Sequence, residues 1–346
     1  MVNRLALRTA LAAALSLLAA ASPLASASGQ QAAASPQGKS LRATSVAVEI
    51  YAIVEGRRGR LIRDLNKDDF ELTEDGTPRK ITYFSRETNG PLSLGLAIDT
   101  SVSQGRMLAT EQAAAKEFLR SVLRTGDQAF VMDFDVDVKL LQDFTGTPSE
   151  LARAVDSAEI NQTGRSVLQE GASRSSGGTH LYDTVYLASN ELMKQRLGRK
   201  VLVLVTDGED QGSRSSLQES IESAEKANVI VYSIIVSDPE FYTLLGGTYH
   251  GDASARKLVR ETGGRTIRVK SIEQIGQAFD RIAAELRAQY LLGYFPSNPR
   301  HDGSFRRIHV SVRGRNDTVR TRTGYYDRGE EETEAKDSSQ GTRTGP

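Results

Sequence analysis

The sequence predicts an α/β protein: a doubly wound, mostly parallel sheet flanked by helices, with a small β module formed by N- and C-terminal flanking strands. Three observations point there. Residues 92–98, 200–205 and 229–236 are near-continuous apolar runs, as expected of strands buried on both faces. Between them lie stretches whose apolar residues recur at spacings of three and four, which suits helices packed on a sheet. Nearer the ends, apolar and polar residues alternate at period two, as in strands with one solvated face.

At the N-terminus, Arg4 and Arg8 precede a short apolar run, 10–21, that is followed by Ala25-Ser26-Ala27. This reads as a cleavable secretory signal over residues 1–27. The run is broken by Pro23 and is shorter than the ~20 residues a spanning helix needs, so no stable membrane insertion is expected after cleavage. The mature chain is expected to be secreted, in a periplasm or outside the cell. Residues 28–43, rich in Gln, Ala, Ser and Gly, read as a linker.

Residues 44–89 are expected to form an N-terminal β segment. Val46, Val48, Ile50 and Ala52 open it, Gly56 and Gly59 turn it, and 69–72 is a second strand. Glu74-Asp75-Gly76 is a hairpin turn, with 81–84 expected as the returning strand. The α/β domain is expected over 90–287. It runs strand 92–98, helix 107–123, strand 128–134, helices 149–160 and 181–193, strand 200–205, helix 216–227 and strand 229–236. A last helix carries Ile272, Ile275, Phe279, Ile282 and Leu286 at spacings of three and four. Residues 288–327 return to strands at 290–295, 307–312 and 319–322, and 328–346, acidic and without large apolar groups, read as a disordered tail.

Composition narrows the chemistry. The 346 residues contain no cysteine, which excludes disulfide scaffolds, zinc–thiolate sites, iron–sulfur clusters and thiol catalysis. With 44 Lys and Arg against 44 Asp and Glu, no bulk attraction to nucleic acid is expected. The common phosphate loop, the serine-hydrolase elbow and the zinc-protease helix motif are all missing from the sequence, so the chain is not expected to be an enzyme.

Three segments carry oxygen ligands in suggestive places. Asp99-Thr100-Ser101-Val102-Ser103 follows the first buried strand, and in an extended loop residues two apart project the same way. Gly177-Gly178-Thr179 precedes the helix at 181, and Thr206-Asp207-Gly208 ends the strand at 200–205. Asp99, Ser101, Ser103, Thr179 and Asp207 could converge beyond the carboxyl ends of the strands, where open α/β sheets bind ligands. An all-oxygen set suits Mg²⁺, or alternatively Mn²⁺ or Ca²⁺. Neutral hydroxyls would leave the ion electron-poor and open to an outside carboxylate. A helix cap at the serines and a plain turn at Asp207 are the alternatives for each piece taken alone.

Asp99-x-Ser101-x-Ser103, then Thr179, then Asp207, resembles the metal-ion-dependent adhesion site (MIDAS) of von Willebrand factor A domains. Asp64-Leu65-Asn66-Lys67-Asp68-Asp69-Phe70, Asp75-Gly76, Tyr290-Leu291-Leu292-Gly293-Tyr294 and Arg322-Thr323-Gly324-Tyr325 further resemble bacterial secreted proteins related to that family. The likeness runs over about residues 40–327. It implies hydroxyl ligation by Ser101, Ser103 and Thr179, carboxylate ligation by Asp99 and Asp207, directly or through water, and an adhesion- or scaffold-type capture of a protein presenting an Asp or Glu. His180 after the threonine and the Gly246-Gly247 segment depart from the pattern.

Asp133-Phe134-Asp135 supports a second reading, a Mg²⁺-dependent phosphatase of the haloacid dehalogenase type, with Asp207 and Asp210 as the later acidic motif. Asp137 stands where that pattern wants Thr or Val, and the serine triplet is left unexplained. The arginines 306, 307, 313, 315, 320 and 322 make the last strands basic. That suits edge protection, with a polyanion site as the other reading. His180, His250, His301 and His309 are expected to be solvated.

Overall fold

The structure is a computed structural model that describes residues 47–86, 90–161, 178–236, 252–271, 273–296 and 302–327, all within the unit Thr44–Pro346. The expected signal, linker and acidic tail, together with Val46, Gly177, Gly246-Gly247, His250, Ile272 and His301, lie outside the described residues. None of the helices among the described residues is long and apolar enough to cross a membrane.

The N-terminal flank supplies β1 (Val48–Glu55), β2 (Leu61–Ile62), β3 (Phe70–Glu74), β4 (Thr77–Arg79) and β5 (Tyr83–Ser85). The α/β part follows as β6 (Leu92–Asp99), α1 (Leu108–Val122), β7 (Gln128–Phe134), β8 (Val138–Thr145), α2 (Pro148–Asp156), α3 (Leu181–Leu187) and β9 (Arg199–Thr206). It continues with α4 (Leu217–Ala227), β10 (Val229–Val236), α5 (Asp252–Thr262), β11 (Thr266–Val269) and α6 (Gln274–Leu286). The chain then returns through β12 (Tyr290–Tyr294), β13 (Phe305–Val312), β14 (Thr318–Arg320) and β15 (Gly324–Tyr326).

The expected α/β architecture is the one the chain adopts. The central sheet has the order β11-β10-β9-β6-β7-β8, parallel throughout except for β8, which runs antiparallel to β7 at one edge. From β6 the chain goes first to β7 on one side and later to β9 on the other, so strand order reverses between β6 and β9. A crevice therefore opens at their carboxyl ends. Successive residues of each buried strand face opposite layers. Leu94, Leu96, Ile98, Val201, Val203 and Val205 pack with α1, α2 and α6, while Ala97, Leu202 and Leu204 pack with α3, α4 and α5.

Strands from both flanks build one β sandwich. One sheet has the order β14-β1-β12-β5 with β2 on β1, and the other β15-β13-β3-β4. Ile50 and Val54 of β1, Leu292 of β12, Leu72 of β3 and Val310 of β13 share its core. Glu74 lies 1% exposed there and accepts hydrogen bonds from Tyr325 Oη at 2.9 Å and Arg79 Nη2 at 3.0 Å, so this buried acid is satisfied.

One expectation is corrected. Glu74 pairs with Thr77, so Asp75 (φ 48°) and Gly76 (φ 77°) form a two-residue turn and the returning strand is β4. Residues 83–85 cross instead to the other sheet and pair with β12. Pro78 in β4, without an N–H, suits that strand's edge position.

Candidate functional site

The site is built at the β6/β9 crevice. Asp99 is the last residue of β6 and Thr206 the last of β9, and the two strands pair in register up to Ile98 and Val205. Thr206 Oγ1 donates to Asp99 Oδ2 at 2.6 Å and accepts from the Gly208 N–H at 2.9 Å. The Ser101 N–H donates to Asp99 Oδ1 at 2.9 Å, folding the following loop over the strand end. Ser101 Oγ and Ser103 Oγ then lie 3.0 Å apart, and Ser103 Oγ donates to Asp207 Oδ2 at 2.7 Å. Asp207 Oδ1 accepts from the Glu209 N–H at 3.0 Å. Four of the five residues singled out in the sequence, Asp99, Ser101, Ser103 and Asp207, are thus joined by one chain of contacts.

Thr179 is tied in through its backbone. Its N–H and C=O both bond Gln211, four residues after Asp207, at 2.9 Å each. The next N–H, that of His180, bonds the Asp135 carbonyl at the end of β7 at 2.7 Å. Gly178 is needed for this approach, because a Cβ there would stand 2.6 Å from the Gln211 carbonyl oxygen. Asp210 and Asp183 fasten the same two loops together: Asp210 Oδ1 accepts from the Tyr182 N–H at 3.0 Å, and Asp183 from the Arg214 and Ser215 N–H groups at 2.9 and 2.8 Å.

The electrostatics are strongly acidic. Asp99 is fully buried, and its pKa is pushed up to about 7 by burial and by Asp207, against the hydrogen bonds from Ser101 and Thr206. Sequence reasoning missed Glu111 of α1, 1% exposed, whose two carboxylate oxygens have no hydrogen-bond partner. Burial, then Asp99 and Asp207, raise its pKa well above the ordinary carboxylate range. The signal was present, because Leu108, Glu111, Ala115, Phe118, Leu119 and Val122 share the buried helical spacing. Among the described residues no salt bridge joins Asp99 or Glu111 to a basic side chain, and no group of three or more His, Asp or Glu is placed to hold a metal ion. What converges is hydroxyls with carboxylates. That donor set fits a hard divalent cation, which would offset buried negative charge left without a basic partner.

Asp133 and Asp135 stand one strand further out, at the end of β7, 4% and 2% exposed. Burial raises Asp133 to about 6, offset in part by Lys139. Asp210 is engaged with Tyr182 and Ser213.

Residues 94–209, which run from within β6 to just beyond Asp207, match the von Willebrand factor type A domain family. This segment is a von Willebrand factor type A domain. A search among curated proteins finds no match. Among solved structures, the chain is similar to an aerotolerance-related membrane protein from Bacteroides fragilis, at 17% identity, 56% of this chain, 98% of that one and a TM-score of 0.42. It is also similar to the vWF domain of the type V pili tip protein Mfa5 from Porphyromonas gingivalis, at 13% identity, 56% of this chain, 94% of that one and a TM-score of 0.41. A third similarity is to proximal thread matrix protein 1 from the mussel byssus, described with a zinc-occupied MIDAS motif, at 13% identity, 62% of this chain, 49% of that one and a TM-score of 0.46.

Proposed function

We propose that the chain is a secreted, divalent-metal-dependent protein-binding module, of adhesion or scaffold type and not an enzyme. It captures a partner's Asp or Glu carboxylate at the crevice between β6 and β9. One observation carries the reading: the Ser101–Ser103–Asp207 chain of contacts, closed on the other side by Thr206 and Asp99. Ser101, Ser103 and Thr179 would offer hydroxyl ligands, and Asp99 and Asp207 carboxylates, to Mg²⁺ or to Mn²⁺ or Ca²⁺ in its place. When bound, such an ion supplies an electrophilic position for an outside carboxylate. The protein's own part is to hold the hydroxyls in place. Ser101 is fixed by its N–H on Asp99, and Ser103 by its Oγ on Asp207, so the loop is ordered before any ligand arrives.

The phosphatase reading is the weaker one, since it leaves the contacts of Ser101 and Ser103 with Asp207 without a role. The secretory reading rests on residues 1–27 of the sequence, with Arg4, Arg8, the apolar run and Ala25-Ser26-Ala27.

The test is capture of proteins from envelope extract by immobilised wild type and Asp207→Ala, each with Mg²⁺ or with excess chelator. A defined carboxylate-bearing partner is expected only on wild type with Mg²⁺, while both proteins keep the same far-ultraviolet circular dichroism. Capture that persists unchanged in chelator would sink the proposal.

A further inference from the structure

A second site lies away from the crevice, at the seam where the von Willebrand factor A domain meets the β sandwich. A cavity of about 730 Å³ is walled by α5 and the start of β11 on one side and by β13, β14 and the residues after β14 on the other. Its volume falls within the range of small-molecule sites. Its lining is strongly one-signed. Arg256, Lys257, Arg260, Arg265, Arg320 and Arg322 all contribute, and no Asp or Glu does.

The ion pairs nearby account for only part of this charge. Arg320 and Arg265 are paired with Glu285 and Glu55 behind the wall, and Arg260 is paired with Glu261 at 3.0 Å. Lys257 has no ion-pair partner among the described residues. Arg322 turns two of its nitrogens away from the lining, to Asn228 Oδ1 at 2.9 Å and the Glu49 carbonyl at 2.7 Å. Its Nε, together with Thr266 Oγ1, Arg320 Nη1 and Thr321 Oγ1, is buried with no hydrogen-bond partner among the described residues. Buried donors left unmatched are costly, and here four of them belong to residues lining one basic cavity.

The other basic residues of the last strands behave differently. Arg306 is paired with Asp327, Arg313 with Glu71 and Arg315 with Asp317. Apart from Arg307, the basic composition of this region therefore resolves into ion pairs, one of them buried, plus one cavity whose charged lining residues are all basic.

We propose that this cavity binds a small multivalent oxyanion, bearing phosphoryl or carboxylate groups, between α5 and the β14–β15 segment. Guanidinium and hydroxyl donors match such oxygens, and guanidinium does so in bidentate fashion. The lining has no Phe, Tyr or Trp ring on which a nucleobase could stack, His309 being its one aromatic side chain. A compact anion fits better than a nucleotide.

Calorimetric titration of the full chain with inorganic pyrophosphate and, separately, citrate tests this, with phosphoryl and carboxylate sources in different arms. Lys257→Glu, on the exposed side of α5, is expected to weaken binding of the better probe about tenfold or more. Lys116→Glu makes the same charge change on α1, across the central sheet, and is expected to leave affinity within about twofold. Thermal unfolding without ligand checks that both variants are folded. Binding by either probe with that pattern upholds the site. No heat from either probe at millimolar concentration, or equal weakening by the two variants, overturns it. The crevice between β6 and β9 plays no part in this test, so its outcome is separate from that of the capture experiment.

Discussion

Glu225 on α4 shows what a single buried acid does to the molecule. It is 6% exposed, and its pKa is pushed from 4.5 up to about 8 by burial and by Glu261, with Arg322 offsetting part of the rise. The native state keeps a proton that the unfolded chain has released. Its contribution to stability is therefore complete below pH 4.5 and is lost as the pH climbs through about 8. Glu225→Gln removes this dependence, so between about pH 6 and 9 the variant's thermal midpoint is expected to fall less than that of wild type. Equal losses in the two proteins, followed by circular dichroism, would count against this account. At the crevice, Asp99, Ser101 and Ser103 were legible because loop residues two apart after a buried strand project together, and Asp207 because it stands at the end of the apolar run 200–205 just before a glycine. Glu111 was not read, because a charged residue in a helix suggests solvent. Only its place among Leu108, Ala115 and Phe118 marks it as interior.

Elements with a strong period were legible, and those with a weak one were not. The fully buried strands β6, β9 and β10 were found from their apolar runs, and α4 from its spacing. Ser216 caps α4, accepting from the Glu219 N–H at 3.2 Å, and Ser216→Ala is expected to cost about 1 kcal/mol in urea unfolding. By contrast β8 is half-exposed along its length and β11 has four residues, so neither gave a clear pattern, and α5 was passed over as well. The hairpin was placed wrongly because the apolar run at 81–84 outweighed the turn chemistry of Asp75-Gly76, which allows pairing to begin at Thr77. Within β6, Gly95 leaves room for its neighbours: a Cβ there would stand 2.4 Å from Phe130 Cζ and 2.8 Å from Leu202 Cδ1. Gly95→Val is expected to destabilise by about 1–3 kcal/mol through overpacking, measured from the urea midpoint.

The whole molecule is joined by a charged cluster that no local pattern shows. Glu285 on α6 is fully buried. It is paired with Arg281 at 2.9 Å, with Arg320 of β14 at 2.7 Å and with Arg265, while Glu55 of β1 pairs with Arg265 and Arg281. These residues come from both flanks and from the central domain. Their meeting follows from the path of the chain, which short-range sequence signals do not encode. Glu285→Ala leaves three arginines without that carboxylate and is expected to cost about 3 kcal/mol. Loss of the cluster would also uncouple the sandwich from the α/β domain, splitting one urea transition into two. A single unchanged transition would show that the cluster is dispensable.

Because β1 lies between β12 and β14, the sandwich is sewn from the first and last strands that the structure describes. The Leu65 N–H and the Tyr290 hydroxyl, 225 positions apart, meet in a buried hydrogen bond. As the polypeptide emerges from the ribosome, its opening strands must wait, apolar and unmatched, until nearly everything else has been made. A product cut short after α6 would keep a complete α/β domain and a sticky, half-built front end, prone to aggregate.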